Sequence, residues 1–346
     1  MPKVGDFEKF AFIVGAPRCG TTTMSKLLQA HPEVAFPFVK EPHFFSQHDL
    51  RGLSDAELKS SVESDYLGHF FNRPEPGERV GADGSVSYLY TPEQLEPVLR
   101  LWPESRFIVG VRDPMTLLPS LHKRLIYIGD ETIGSFSDAW TAVPDRTAGR
   151  RIPSRCADPR WLRYDEAGRF AEYVERLFAA VGRERCHVVL FDDFNADPEG
   201  EYRRFMEFCG LEPVIGTDFA PRRASAGVRH IWLQRILKRP PHAVRDYLAG
   251  EHFMVRVRDL EEKTTSKSTK KVLSLRKRLL RWNRIAAKPA PVPDRLADEL
   301  RSHFADEVKK LGRLLDRDLS HWLGSAVAVP VAGAGQKAKV AKAAQA

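Results

Sequence analysis

The stretch from Phe10 to Thr23, FAFIVGAPRCGTTT, limits the folds open to this chain more than any other segment. An apolar run suited to a buried strand ends in a Gly-bounded loop, and hydroxyl residues follow where a helix should start. That order gathers backbone N–H groups and a helix N-terminus around one concavity, which is how proteins cradle an anion. The frame Gly15-x4-Gly20-Thr21-Thr22 overlays the nucleotide P-loop, G-x4-G-K-[ST], except that Thr21 stands in the Lys position. Arg18 is the only basic side chain in the loop, and its charge and fork of donors suit phosphate. Thr21, Thr22 and Thr23 open the helix, where hydroxyls can cap free amides. The helix end itself adds about half a positive charge. Cys19 reads as a small packing residue within the loop, because nothing else in the sequence points to thiol chemistry. The plainer alternative is a Gly/Pro turn leading into a Thr-capped helix.

Further apolar runs suited to buried strands are Val34–Phe36, Val80–Ala82, Phe107–Val111 and His187–Phe191. Helical patterns lie between them: Thr22–Ala30, Pro92–Leu101, Met115–Ile126, Gly168–Val181 and Tyr202–Cys209. Strands alternating with helices predict an α/β fold with a parallel central sheet flanked by helices. Ligands of such sheets bind at the carboxyl ends of the strands. The Gly15 loop and the Arg112 segment both follow apolar runs, so both would line one crevice. Residues 222–284 are rich in Arg, Lys, Thr and Ser and carry few strand signals; they read as loops and helices packed on the main body. From Pro293 to Leu323 the helix period returns, with Leu296, Leu300, Phe304, Val308, Leu311 and Leu315 on one stripe. The organisation expected is one domain over 1–324, with 222–290 as a cap over cofactor or acceptor, and a disordered Ala/Val/Gly/Lys-rich tail at 325–346.

A second anion-binding candidate is Phe107 to Arg124, FIVGVRDPMTLLPSLHKR. An Arg directly after a buried strand sits at the crevice edge. Asp113-Pro114 reads as an N-cap followed by the first helical residue. Ser120 and Arg124 are then one turn apart on a shared face, and Arg112, Ser120 and Arg124 together would hold a second phosphate. Pro119 costs about 3 kcal/mol or more inside a helix, so the helix is expected to begin late or kink there. The alternative is an Asp-capped helix with solvated charges. A third candidate is Lys40-Glu41-Pro42-His43-Phe44-Phe45. Glu41 reads either as a general base tuned by partial burial or as a surface partner of Lys40.

Composition narrows the function classes. The chain has 346 residues, enough for a sizeable core, and no apolar run long enough to span a bilayer. The start, MPKVGDFEKF, lacks the apolar stretch of a secretory signal. The four cysteines are scattered without C-x-x-C spacing, which argues against zinc or redox motifs and fits a reducing, cytoplasmic setting. The net charge of +8 suits an anionic ligand. The basic residues are spread out and accompany no nucleic-acid motif, so no nucleic-acid partner is expected.

Together these segments resemble the sulfotransferase family that uses 3′-phosphoadenylyl sulfate (PAPS), in its heparan-sulfate-sulfotransferase-like branch and bacterial relatives. Gly15 to Thr22 resembles the family's 5′-phosphosulfate loop, and Arg112 with Ser120 its 3′-phosphate motif. Glu41-Pro42-His43-Phe44-Phe45 resembles the E-x-x-F-F stretch that holds the catalytic Glu. Asp83-Gly84-Ser85-Val86-Ser87-Tyr88-Leu89-Tyr90 is similar to a segment preceding the 3′-phosphate strand. His187 to Phe194, Phe205 to Leu211 and Asp318 to Trp322 are similar to the late strand, the late helix and the C-terminal finish. The likeness runs from about residue 8 to 324. Three positions depart from the branch: Arg18 stands where Lys is frequent, Val86 where Pro is common, and Asp83 where Glu is common. Glu262 to Lys271 has no counterpart.

The resemblance implies a P-loop-like sulfotransferase fold, PAPS as cosubstrate with 3′,5′-ADP as product, and no metal. It implies Glu41 and Arg18 as catalytic residues. Arg18, Cys19, Gly20, Thr21, Thr22, Thr23, Arg112 and Ser120 would bind the cosubstrate. His43, Ser87, Tyr88 and Arg124 are candidates for the acceptor side, and Arg222, Arg223 and Arg229 for covering the cosubstrate. The acceptor implied is a carbohydrate, a glycolipid or another small molecule. Two rivals stay open: a kinase-like P-loop phosphotransferase, for which Asp192 and Asp193 after a strand would hold the metal, and an inactive nucleotide-binding relative.

Overall fold

The computed structural model describes residues 1–216, 219, 226–241, 267–286 and 291–324. The apolar runs form the strands β1 (Lys9–Gly15), β2 (Val34–Ala35), β3 (Val80–Asp83), β4 (Arg106–Val111) and β5 (Cys186–Leu190). They pair in parallel in the order β2-β3-β1-β4-β5. After β1 the chain goes to the far edge for β2, returns to fill the gap with β3, and then crosses to the other side of β1 for β4 and β5, which puts the topological switch point between β1 and β4.

Alternation along β1 divides the core. Phe10, Phe12 and Val14 join Phe107 and Val109 in one apolar cluster, while Ala11 and Ile13 join Ile108 and Val189 in another. A sheet covered on both faces needs continuous apolar strands, and that is why these runs lack the polar alternation of a half-exposed sheet. The main helices are α1 (Thr21–Gln29), the short α2 (Phe44–Gln47), α3 (Pro114–Ile128), α4 (Phe170–Val181), α5 (Phe191–Ala196), α6 (Pro198–Phe208), α7 (Ile231–Lys238), α8 (Lys267–Asn283) and α9 (Asp294–Leu315). α1 and α6 cover one face, through Met24, Leu27, Leu28, Tyr202, Phe205 and Met206. α3, α4 and α9 cover the other, and the α9 stripe from Leu296 to Leu311 is buried as its period requires.

Three expectations need correction. α3 does not start late: it begins at Pro114 and continues through Pro119 to Ile128. Asp113 caps it by accepting from Met115 N at 2.9 Å, and Pro114 occupies its first position, so the start is fixed upstream of the internal proline. The last strand ends at Leu190, and Phe191 already belongs to α5. Residues 222–284 are not free of strands, because β6 (Ala226–Val228) and β7 (Arg284–Ala286) pair antiparallel. Between β6 and β7 the chain forms an arm in which α7 and α8 pack together, and α7 rests on α3 through Gln234 Nε2, which donates to Tyr127 O at 2.6 Å. Arg222, Arg223, much of the expected cap and the 325–346 tail lie outside the described residues. All four cysteines are free thiols. Among the described residues no helix is long and apolar enough to cross a membrane.

Candidate active site

The loop after β1 is held by backbone shape. Gly20 occupies the left-handed region at φ 84° and forms the N-cap of α1, where no side chain caps the helix. The N–H groups of the first turn, from Thr21 and Thr22, therefore lack intrahelical acceptors and remain for a ligand. Gly110 on β4 provides the floor. A Cβ there would meet Cys19 O at 2.5 Å, so only glycine lets the loop lie this close to the strand. Cys19 itself is fully buried, its amide donates to Ala16 O at 3.3 Å, and burial pushes its thiol up to about 12. It packs the loop against β4. Thr21 is buried, while Thr22 and Thr23 are half-buried.

The two anion candidates, far apart in sequence, meet here. Arg18 Nε donates to Ser120 Oγ at 2.9 Å, and Arg112 Nη1 donates to Arg18 O at 3.3 Å. Arg112 is oriented from two sides: its Nε donates to Thr116 Oγ1 at 2.9 Å, and its guanidinium lies 4.4 Å from the centre of the Phe191 ring. Two guanidinium groups, one hydroxyl and an uncapped helix start thus share the switch point, a concentration of positive charge that favours an anion. Arg124, one turn beyond Ser120, is exposed, with its guanidinium 5.8 Å from the Tyr127 ring centre. Asp113 carries the opposite sign beside this cluster. Burial, opposed by its hydrogen bond from Met115 N and reinforced by Asp192, lifts its carboxyl to about 6.

Glu41 lies at the mouth of β2 and β3. Its Oε1 is 2.5 Å from Lys40 Nζ and its Oε2 is 3.6 Å from His43 Nε2. Lys40 Nζ also donates to Gly84 O at 3.2 Å, which ties the segment to the end of β3. Burial pushes the Glu41 carboxyl up, but the His43 hydrogen bond and the Lys40 charge outweigh it and bring the group down to about 2. His43 is fixed by serines: its backbone N donates to Ser85 Oγ at 2.8 Å, and its Nδ1 lies 2.8 Å from Ser87 Oγ. Ser46 Oγ closes the ring, 2.6 Å from Ser87 Oγ.

Beneath this layer sits Asp83, which is wholly buried. Its Oδ1 accepts from Ser85 N at 2.8 Å and from Ser85 Oγ at 2.6 Å. Its Oδ2 accepts from Tyr66 OH at 2.9 Å and Tyr88 OH at 2.8 Å. Burial raises the Asp83 carboxyl above its ordinary value despite these four bonds. Tyr88 therefore supports the site from below and does not line it, whereas His43 and Ser87 are half-buried and lie in the upper layer. Sequence reasoning missed Asp83 and Tyr66 as a support; the available signal was a carboxylate directly after an apolar strand. Asp192 and Asp193, the metal candidates of the kinase-like alternative, hold the C-terminal segment: Trp322 Nε1 donates to Asp192 Oδ2 at 2.7 Å, and Arg317 Nη1 is 2.9 Å from Asp193 Oδ2.

Comparison with known proteins gives a consistent set of likenesses. The pattern describing the sulfotransferase family matches residues 11–214. Human heparan sulfate glucosamine 3-O-sulfotransferase 6 is 28% identical over 219 residues, covering 59% of this chain and 53% of that protein. Chicken protein-tyrosine sulfotransferase 2 is 24% identical over 215 residues, covering 58% and 50%. The chain thus spans about half the length of the curated relatives it matches. Among solved structures, a sulfotransferase from Alicyclobacillus acidocaldarius superposes with a TM-score of 0.57 at 22% identity, over 90% of this chain and 97% of that one. That likeness carries the fold: a parallel sheet flanked by helices, as the sequence pattern predicts.

Proposed function

Because this chain belongs to the sulfotransferase family, we propose that it transfers a sulfuryl group from PAPS to a hydroxyl or amine of an acceptor, with a carbohydrate or glycolipid as the favoured class. The observation that carries the reading is the Arg18–Ser120 hydrogen bond of 2.9 Å, with Arg112 on the Arg18 carbonyl. It joins the loop expected to grip a 5′-phosphosulfate to the pair expected to grip a 3′-phosphate. A donor with about four negative charges needs such a cluster. At 4 Å and an effective dielectric of 20, each opposite pair contributes about 4 kcal/mol before desolvation.

PAPS supplies the sulfuryl group and, once that group has left, departs as 3′,5′-ADP. The residues of this chain do the rest. Glu41 is ionised at neutral pH and takes the proton from the acceptor hydroxyl as the acceptor oxygen–sulfur bond forms. Arg18 and the first-turn amides of Thr21 and Thr22 stabilise the negative charge on the phosphate oxygen as its bond to sulfur breaks. Thr23 and the Cys19–Gly20 backbone shape the loop around them. Arg112 and Ser120 hold the 3′-phosphate, and this is where the donor is told from ATP. His43 and Ser87 orient Glu41 and the acceptor, with Tyr88 supporting them through Asp83. Arg124 is a surface candidate for the ligand's far side, whereas Arg229 is held on the arm, its Nε donating to Trp282 O at 3.0 Å and its guanidinium 5.9 Å from the Trp282 ring centre. A metal is not part of the reading. The engagement of Asp192 and Asp193 by Trp322 and Arg317 weighs against the kinase-like alternative. A cytoplasmic location accords with four free thiols.

The reading is tested by thermal shift and transfer on one preparation. The melting temperature should rise with 3′,5′-ADP and not with ATP plus Mg²⁺, and labelled PAPS should label members of a panel of glycans and glycolipids. Stabilisation by ATP plus Mg²⁺ alone would favour the kinase-like reading. Binding of 3′,5′-ADP without transfer to any acceptor would favour an inactive relative.

A further inference from the structure

The helices α7 and α8 bury polar side chains between them and leave an apolar face uncovered. α8 buries polar residues: Arg276 Nε donates to Leu237 O at 2.8 Å, and the wholly buried Asn283 donates to His230 O at 3.0 Å and to Gln234 Oε1 at 3.1 Å. Leu280 shares that face and is half-buried, but a second set of apolar residues faces the other way. Val272, Leu275, Leu279 and Trp282 fall on one stripe at helical spacing. Leu275 is 57% exposed and Trp282 54% exposed. α7 adds Trp232 at 64% and Ile236 at 48%. His230 joins the two helices' patches, stacked on Trp282 at 5.7 Å and 6.3 Å from Trp232.

The charge of the two described stretches of the arm is one-sided. Residues 226–241 and 267–286 contain twelve Lys or Arg and no Asp or Glu. On α8, Lys271 and Arg278 border the apolar stripe and are exposed. Exposed tryptophan and aliphatic side chains flanked by basic ones are the signature of a helix that lies in a membrane interface. The aromatic rings enter the headgroup boundary, and the cations meet anionic headgroups. A soluble polyanion would use the charges but leave the tryptophans and leucines in water, so the apolar stripe selects between the two.

We propose that the α7–α8 arm docks this protein on a bilayer of anionic lipid, with Trp232, Leu275 and Trp282 inserted at the interface and Lys271 and Arg278 on the headgroups. Docking through the arm brings the chain to the lipid surface. It suits an acceptor presented at a lipid surface, although the proposal stands on the arm alone.

The test is vesicle co-sedimentation of the full chain, with tryptophan emission recorded in parallel. The chain should sediment with phosphatidylcholine vesicles containing phosphatidylglycerol, and its emission should shift to the blue. Pure phosphatidylcholine should capture much less. The triple variant Trp232→Ser/Leu275→Ser/Trp282→Ser should lose binding by about tenfold or more. Lys271→Ala and Arg278→Ala should each weaken it by about fivefold. Four results would overturn the proposal. The first is no preference for anionic vesicles. The second is an emission already blue and unresponsive to lipid, which shows the stripe covered within the chain. The third is retention on heparin, unchanged in the triple variant, without vesicle binding. The fourth is a concentration-dependent dimer that the triple variant abolishes, without vesicle binding. Each variant is checked for its melting temperature and its shift with 3′,5′-ADP, so failure of docking and failure of the sulfuryl-transfer reading register separately.

Discussion

Glu41 and Asp83 are linked through the same serines and histidine but live in opposite electrostatic settings. Glu41 is partly exposed and faces two basic groups, Lys40 and His43, which bring its carboxyl down to about 2. Asp83 is sealed from solvent and faces hydroxyl and amide donors, and its carboxyl rises. The number of hydrogen bonds does not explain the contrast, since Asp83 has four good ones. The character of the donors and access to water do. In the proposed mechanism the carboxylate open to solvent, flanked by Lys40 and His43, carries the chemistry. One fastened beneath it by tyrosines is arranged to keep that chemistry in place.

The comparison predicts different kinds of loss. Glu41→Gln should lower kcat by about two to four orders of magnitude, leaving the melting temperature and 3′,5′-ADP binding unchanged. Full activity in that variant would remove Glu41 as the base. Asp83→Ala leaves three residues' donors without an acceptor and should cost about 3 kcal/mol in chemical denaturation. If it loses turnover at native stability, Asp83 takes part in the reaction through His43, and the contrast drawn above breaks.

Asp113 sharpens the comparison as an intermediate case. It has a backbone donor but lies near Asp192, and its carboxyl stands at about 6 against an ordinary 3.8. A folded-state value above the unfolded one means the folded protein holds the proton more tightly, so stability falls as pH rises from about 4 to 6. Asp113→Asn keeps a good N-cap and removes the charge. It should stabilise by roughly 1 to 3 kcal/mol at pH 7.5, and the gain should fade below pH 6 and vanish near pH 3.5. A gain independent of pH would assign the effect to packing. The smallest effect expected is in the acid limb of kcat/KM, where Lys40→Met should move the Glu41 limb up by about one pH unit. An unmoved limb would show that His43 alone sets it.

How legible this was in the sequence depended on range. The loop, the Asp113 cap and the five strands are written in local grammar: apolar run, glycine, hydroxyl, Asp-Pro. That the Gly15 loop and the Arg112 segment share one crevice was legible too, since both follow apolar runs; the Arg18–Ser120 bond, across 102 residues of chain, was not, because no local pattern encodes which side chains pair there. The Asp83 support was hidden for the same reason, because Tyr66 comes from a separate segment. Pro119 misled because the rule against internal proline counts the lost hydrogen bond and not the core around it; Leu117, Leu118 and Leu121 bury the helix on either side. β6 and β7 have three residues each, too few for a period-two pattern to register.

The bare backbone at Gly110 has a consequence for what the molecule can be adapted to do. The strand on which the first loop rests ends at Val111 and leads directly into Arg112, two residues past Gly110. Under the proposed reading both grips are therefore mounted on one strand, so that their spacing follows the backbone more than the side chains. A donor of another length would then call for a change in the strand, while the proposed acceptor side, assembled from separate loops, is free to diversify.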